Sequence, residues 1–147
     1  MVAGLICQRL PDELQIERHS MSCCAISRLM LVALLVLMPW VALSSAMSPP
    51  SEWAFVIHVS ALAGLCVLAC LAFEKSIQRG GAVLFVFAYS LVLEWLQNLS
   101  PDRYGSMEDV AANAMGCLVG VLLYLTMVGL RGLKRRYAIE HPKETKE

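Results

Sequence analysis

The sequence predicts an all-α membrane protein with four transmembrane helices in an up-and-down bundle and both termini in the cytoplasm. Three observations point to this fold. The 147-residue chain is 58% hydrophobic and only 16% charged, whereas soluble domains average about 25% charged residues. The hydrophobic residues fall into four runs with short connections. Eleven of the twelve Lys and Arg residues lie on one side of these runs, which is the side retained in the cytoplasm.

Each of the four runs is long enough to cross a bilayer as a helix. They cover residues 26–47, 53–73, 81–98 and 109–130. A hydrocarbon core of about 30 Å needs about 20 helical residues at about 1.5 Å each, so the third run is only just sufficient. Short connections favour antiparallel neighbours, and hence an up-and-down bundle.

The first run has a second interpretation. Arg28, an apolar core over 29–43 and the small residues Ser44 and Ala46 are also typical of a secretory signal with a cleavage site. We favour a retained span because the run can cross completely and Pro39 interrupts its end. Cleavage would leave three spans and an external N-terminus.

The chain divides into three predicted parts. A cytoplasmic extension covers residues 1–25 and could lie upstream of the true translation start. The transmembrane domain covers 26–130, and a basic, then mixed-charge cytoplasmic tail covers 131–147. The connections near 48–52 and 99–108 are then expected to face outward.

Net charge and cysteine placement exclude several function classes. Twelve basic and twelve acidic residues give a net charge of zero, so no global field favours nucleic acid. The six cysteines lie within spans or on the predicted reducing side, and they lack zinc-binding spacings. We therefore expect no disulfide, no metal and no cofactor.

Polar or small residues recur at helical spacing within the third and fourth runs. Positions i, i+4, i+7 and i+11 share one face of a helix. The residues with this spacing are Ser90, Glu94 and Gln97 in the third run, and Asp109, Asn113, Gly116 and Gly120 in the fourth. A charge near the bilayer centre costs about 2.5 to 3.5 kcal/mol, so these faces indicate a functional or structural role.

Three of the polar residues, from different runs, share a common depth. Counting about 1.5 Å per residue places His58, Glu94 and Asn113 roughly 6 to 8 Å below the outer boundary, with Arg103 in the short connection above them. We therefore predict a functional cluster in the outer third of the membrane. Its members are His58, Glu94, Gln97, Arg103, Ser106, Asp109 and Asn113.

Structural interpretations of some members remain open. Ser106 and Asp109 have the spacing of a capping box, so they could simply start the fourth helix. Ala112, Gly116 and Gly120 favour close helix packing over ligand binding. A histidine in this position could also bond a backbone carbonyl.

The charges around the cluster restrict its ligands. Glu94, Asp102, Glu108 and Asp109 against Arg103 give a formal balance of −3. A bare anion site is therefore disfavoured. The remaining options are a protonated Glu94, an ion-paired structural network, or a site for a cation or an amine-bearing head group.

Residues 94–120, EWLQNLSPDRYGSMEDVAANAMGCLVG, resemble the signature of the VanZ-like family of small bacterial membrane proteins. The family pattern falls on Glu94, Gln97, Arg103, Ser106, Asp109, Asn113, Gly116 and Gly120. The family usually carries an acidic–basic pair before a histidine of an earlier span; His58 fits, whereas Ala54 and Phe55 do not. The resemblance implies a protein of the bacterial inner membrane connected with the cell envelope. The founding member is linked to low-level resistance to the glycopeptide teicoplanin.

Three hypotheses about function follow. The leading one is a non-enzymatic protein of the bilayer whose cluster engages an envelope component, such as an envelope lipid, a cell-wall precursor or an amine-bearing group. The second is an intramembrane enzyme acting on a lipid-linked substrate, with Glu94 as acid or base and His58 as its partner. The third is a purely structural role, in which ion pairs and small residues hold helices or protomers together.

Overall fold

The chain folds into four long helices. The computed structural model describes residues 12–44, 51–99 and 106–141, with side chains from Ser22 onward in the first range and from Glu52 onward in the second. The helices are α1 (Asp12–Leu43), α2 (Ser51–Ala72), α3 (Ser76–Gln97) and α4 (Met107–Glu140). Each is long and apolar enough to cross a membrane. The predicted all-α membrane fold with four transmembrane helices is confirmed.

All four helices begin before their predicted apolar runs, and the fourth also ends beyond its run. The first begins at Asp12 rather than at 26. The third begins at Ser76 rather than at 81, and the fourth continues to Glu140 rather than ending at 130. Hydrophobicity marks the part of a helix that contacts lipid, whereas backbone hydrogen bonding continues wherever the residues allow it. Residues 131–140 are mostly good helix formers, so α4 continues into its basic segment.

Adjacent helices run in opposite directions. Near the start of the apolar span of α1 (Ser22–Leu43), the Arg28 Nε donates a hydrogen bond to the Ala72 carbonyl at the end of α2. The connection 73–75 reverses the chain into α3. At the start of α3, the Arg79 guanidinium lies over the Tyr124 ring at the middle of α4, 17 residues after Met107. These contacts describe an up-and-down bundle.

The bundle is organised around α2, which packs against all three other helices and most extensively against α4. Gly116 and Gly120 of α4 make this contact possible. A Cβ built at Gly116 would lie 2.7 Å from the Val59 carbonyl oxygen, and one at Gly120 would lie 2.5 Å from the Ala63 carbonyl oxygen. Real Cβ atoms do not approach so closely, so the two backbones can meet only because these residues lack side chains.

Large apolar side chains cover the outside of the bundle. Trp40, Leu84, Trp95, Leu118 and Leu122 are all more than half exposed. A soluble monomer rarely carries so extensive an apolar surface. This surface contacts the lipid bilayer, as expected from four apolar spans.

Candidate functional site

The site begins with the start of α4. Ser106 is the N-cap residue, with extended backbone angles, and its Oγ accepts a hydrogen bond of 3.0 Å from the Asp109 amide. The same hydroxyl donates to Asp109 Oδ2 at 2.8 Å. Glu108 and Asp109 place two acidic side chains in the first turn, where the helix dipole favours negative charge. These residues together define Ser106 as the position from which α4 starts.

Glu94 of α3 completes this cap from another helix. In a capping box, the N-cap amide is accepted by the acidic side chain three residues later. Here the Ser106 amide donates instead to Glu94 Oε1, at 2.8 Å. Asp109 is thereby left to bond the Ser106 hydroxyl. The Glu94 side chain is only 5% exposed. The backbone N–H that it accepts places its carboxyl group at the positive end of the α4 dipole.

His58 of α2 contacts two polar side chains of α4. Its Nδ1 lies 3.2 Å from Asn113 Oδ1, and its Nε2 lies 3.8 Å from Asp109 Oδ1. The partners of His58 in the described part of the chain are therefore side chains rather than a backbone carbonyl. Asn113 is almost fully buried, whereas His58 and Asp109 are about one quarter and one fifth exposed.

A partly open cavity of about 200 Å³ lies beside these groups. Its apolar walls come from all of α1, α2 and α3, and include Met38, Ile57, Leu62 and Leu93. Its polar lining is His58, Ser90, Glu94, Gln97 and Asn113. The cavity thus combines an apolar interior with a polar side that holds one imidazole and one carboxylate, which is the usual character of a small-molecule site.

Two of the predicted polar residues donate hydrogen bonds to backbone carbonyls. The Gln97 Nε2 donates to the Ala42 carbonyl near the end of α1, at 2.9 Å. The Ser90 Oγ donates to the Phe87 carbonyl of its own helix, at 2.7 Å. Both residues line the cavity, but these bonds fix backbone positions rather than leaving the two groups free for a ligand.

Sequence reasoning missed a third contact of this kind. The Tyr89 hydroxyl of α3 donates at 2.7 Å to the carbonyl oxygen of Leu35 in α1. Pro39, four residues after Leu35, lies inside α1 and has no N–H to donate to that oxygen. The sequence signal was the proline, because a helical proline leaves the carbonyl four residues earlier without its usual donor.

The remaining predicted residues lie apart from the cavity or outside the described part. Ala112 is fully buried on the face of α4 that also carries Gly116 and Gly120. Arg103 and Asp102, which the sequence places in the connection before α4, lie outside the described residues. Within the described ranges, no group of three His, Cys, Asp or Glu side chains is arranged to hold a metal ion.

The comparisons with known proteins agree with the resemblance of the last two spans. The model of the VanZ/LLP1 family matches residues 15–128, which is more than three quarters of the chain and includes parts of all four helices. No curated protein and no solved structure matches the chain.

Proposed function

The chain belongs to the VanZ/LLP1 family, and from this premise we propose that it binds a component of the bacterial cell envelope through the cavity beside His58 and Glu94. In this proposal the protein lies in the bacterial cytoplasmic membrane with both termini in the cytoplasm, and the cavity opens toward the outer surface. The distribution of Lys and Arg supports this orientation. The ligand is then reached from the side on which envelope components are assembled.

One observation carries the proposal: among the described residues that line the apolar cavity, the one acid is the buried Glu94, and no Lys or Arg accompanies it. Of the three titratable groups that meet in the described part, Glu94 and Asp109 are carboxylates and His58 is an imidazole. An anionic ligand in the cavity would meet the Glu94 carboxylate. An amine-bearing or otherwise cationic group on an apolar or lipid-linked body matches the lining and the walls together. Glu94 would contact the cationic group, and Asn113 would hold the His58 ring in position.

A second candidate function is an intramembrane enzyme for a lipid-linked substrate. The observation in its favour is that the cavity reaches both Glu94 and His58, the acid or base and the partner that such a mechanism requires. Binding is better supported, because no serine or cysteine in the described ranges is hydrogen-bonded to His58, and the Ser90 hydroxyl is occupied by its own helix. A covalent mechanism would need such a nucleophile.

Replacing Glu94 in two ways separates binding from structure. Glu94→Gln retains an oxygen that can accept the Ser106 amide but removes the charge, whereas Glu94→Ala removes both. We expect Glu94→Gln to abolish an envelope-stress or teicoplanin phenotype at unchanged protein abundance, and Glu94→Ala to lower abundance as well. Glu108→Gln is the matched control, because it removes an exposed charge from the neighbouring turn without touching the cavity.

The phenotype is measured as teicoplanin susceptibility and envelope-stress reporter activity, with abundance from quantitative immunoblots of the membrane fraction. If Glu94→Gln and Arg103→Ala both leave the phenotype unchanged at normal abundance, the binding proposal is wrong. If Glu94→Gln lowers abundance as much as Glu94→Ala does, the residue has the purely structural role instead.

A further inference from the structure

A second cavity, of about 310 Å³, lies at the opposite end of the bundle, toward the side on which α1 begins and α4 ends. All four helices contribute to its surroundings, and the α2–α3 connection closes one side. Its charged lining is Arg79, Arg131 and Glu74, and its apolar lining includes Phe73 and Val128. None of these residues belongs to the His58–Glu94 site.

Arg79 is held in place without using most of its hydrogen-bonding capacity. Its Nε donates at 2.8 Å to the Phe73 carbonyl, just beyond the end of α2. Its guanidinium carbon lies 5.3 Å from the centroid of the Tyr124 ring, a cation–π contact. The hydrogen bond and the cation–π contact together fix the orientation of the Arg79 side chain. Its two terminal amino groups remain for a ligand.

Arg28 makes the same type of contact one helix away. Its Nε donates at 2.7 Å to the Ala72 carbonyl, and its guanidinium lies 5.3 Å over the Phe73 ring. Two arginines therefore cap the carbonyl end of α2, where the helix dipole favours cations. In the parts of the chain that the structure covers, neither arginine forms an ion pair with a carboxylate.

Arg131 brings a second cation to the cavity from α4. It is exposed, and within the described ranges it forms no ion pair. With Arg79 it outnumbers the single acid of the lining, the exposed Glu74. Guanidinium groups recognise phosphate oxygens through paired N–H donors. The sign of the charge is opposite to that of the first site, so the two cavities select different ligands.

We propose that the cavity between Arg79 and Arg131 binds a phosphate group, supplied by an anionic phospholipid of the leaflet on the side of the chain termini. The phosphate lies between the two guanidinium groups, and the glycerol and first acyl carbons lie against Phe73 and Val128. The position suits this ligand, because the cavity lies at the level where α2 ends and α3 begins, close to the expected membrane boundary. Anionic head groups at that boundary attract basic side chains electrostatically.

Native mass spectrometry of the full chain, released from nanodiscs, tests the proposal. Nanodiscs contain phosphatidylcholine with either phosphatidylglycerol or no anionic lipid, and a parallel arm contains inorganic phosphate in excess. The main variant is Arg131→Gln, because that side chain forms no ion pair within the described residues and is exposed. Arg79→Gln is the second variant. Arg136→Gln is the matched control, since it removes the same charge from the other side of α4.

We expect phosphatidylglycerol to be retained in preference to phosphatidylcholine, and Arg131→Gln to reduce its retention by about tenfold, the order expected for a lost charge-assisted contact. Arg136→Gln should leave retention unchanged. If inorganic phosphate displaces the lipid, the phosphate site stands and its source is free phosphate. Equal retention of the two lipids, or equal losses in Arg131→Gln and Arg136→Gln, would overturn the proposal in favour of a diffuse charge effect.

Discussion

The bond from Tyr89 to the Leu35 carbonyl predicts an energetic coupling between two helices. Pro39 has no N–H for the Leu35 oxygen, and the Tyr89 hydroxyl donates to it at 2.7 Å. Tyr89→Phe removes this donor and retains the ring. A buried acceptor left without a partner costs about 1 to 3 kcal/mol, and the apolar surroundings offer no water in exchange. We expect a loss of about 1 to 3 kcal/mol in the free energy of unfolding.

A double-mutant cycle isolates this explanation. In the Pro39→Ala background, the new backbone N–H can donate to the Leu35 oxygen, so Tyr89→Phe should cost less than about 0.5 kcal/mol. The expected coupling between positions 39 and 89 is then about 0.5 to 3 kcal/mol, the range for residues that share a partner. Tyr137→Phe is the control, because that ring is exposed at the end of α4.

Unfolding is measured in mixed micelles of increasing sodium dodecyl sulfate, or by steric trapping in bilayers, for the wild type, both single variants and the double variant. The explanation fails if Tyr89→Phe is equally costly with and without Pro39. It also fails if the substitution costs no more than Tyr137→Phe, since the hydroxyl would then contribute nothing to the packing of α1 on α3.

Three further predictions concern packing, capping and topology. Gly120→Ala should destabilise the fold by about 1 to 3 kcal/mol, because its Cβ would meet the backbone of α2; Gly64→Ala, with no atom within 4 Å of its Cβ, should be neutral or stabilising in the same unfolding assay. Ser106→Ala should cost about 1 kcal/mol of unfolding free energy through the lost N-cap, and an unchanged value would refute the capping role. In a cysteine-free chain, Glu52→Cys should react with an impermeant maleimide in intact cells and Glu140→Cys only after permeabilisation; the reverse pattern would invert the proposed orientation.

The sequence predicts the number and type of elements because the bilayer imposes a length and a composition on every span. The ends of the helices are harder to predict, since hydrophobicity indicates which residues contact lipid and not which residues continue the backbone hydrogen bonding. This is why α4 continues to Glu140 although its apolar run ends at 130. The close contact at Gly116 and Gly120 follows the spacing of small residues, which is a local pattern.

The spacing of the polar residues along their helices also predicts that they meet at one site, but it does not predict their hydrogen bonds. Depth counting places His58, Glu94 and Asn113 in one layer, and the structure brings all three to one cavity. The partner of Glu94 is a backbone amide of α4. Every residue except proline has such an amide, so no residue type signals it. Likewise, Tyr89 contacts a carbonyl that only its relation to Pro39 identifies.

The remaining question about Glu94 is why the position carries a carboxyl group rather than an amide. A hydrogen bond to a charged group contributes about 1.5 to 3 kcal/mol, and the helix N-terminus adds about 0.3 to 1 kcal/mol. A charge inside the bilayer costs about 2.5 to 3.5 kcal/mol even on lenient scales, so the balance is close to zero. Glutamine would accept the Ser106 amide without the cost of the charge. A carboxylate therefore has no structural advantage over glutamine at this position, and its charge makes sense if a cationic ligand uses it, as the proposed function requires.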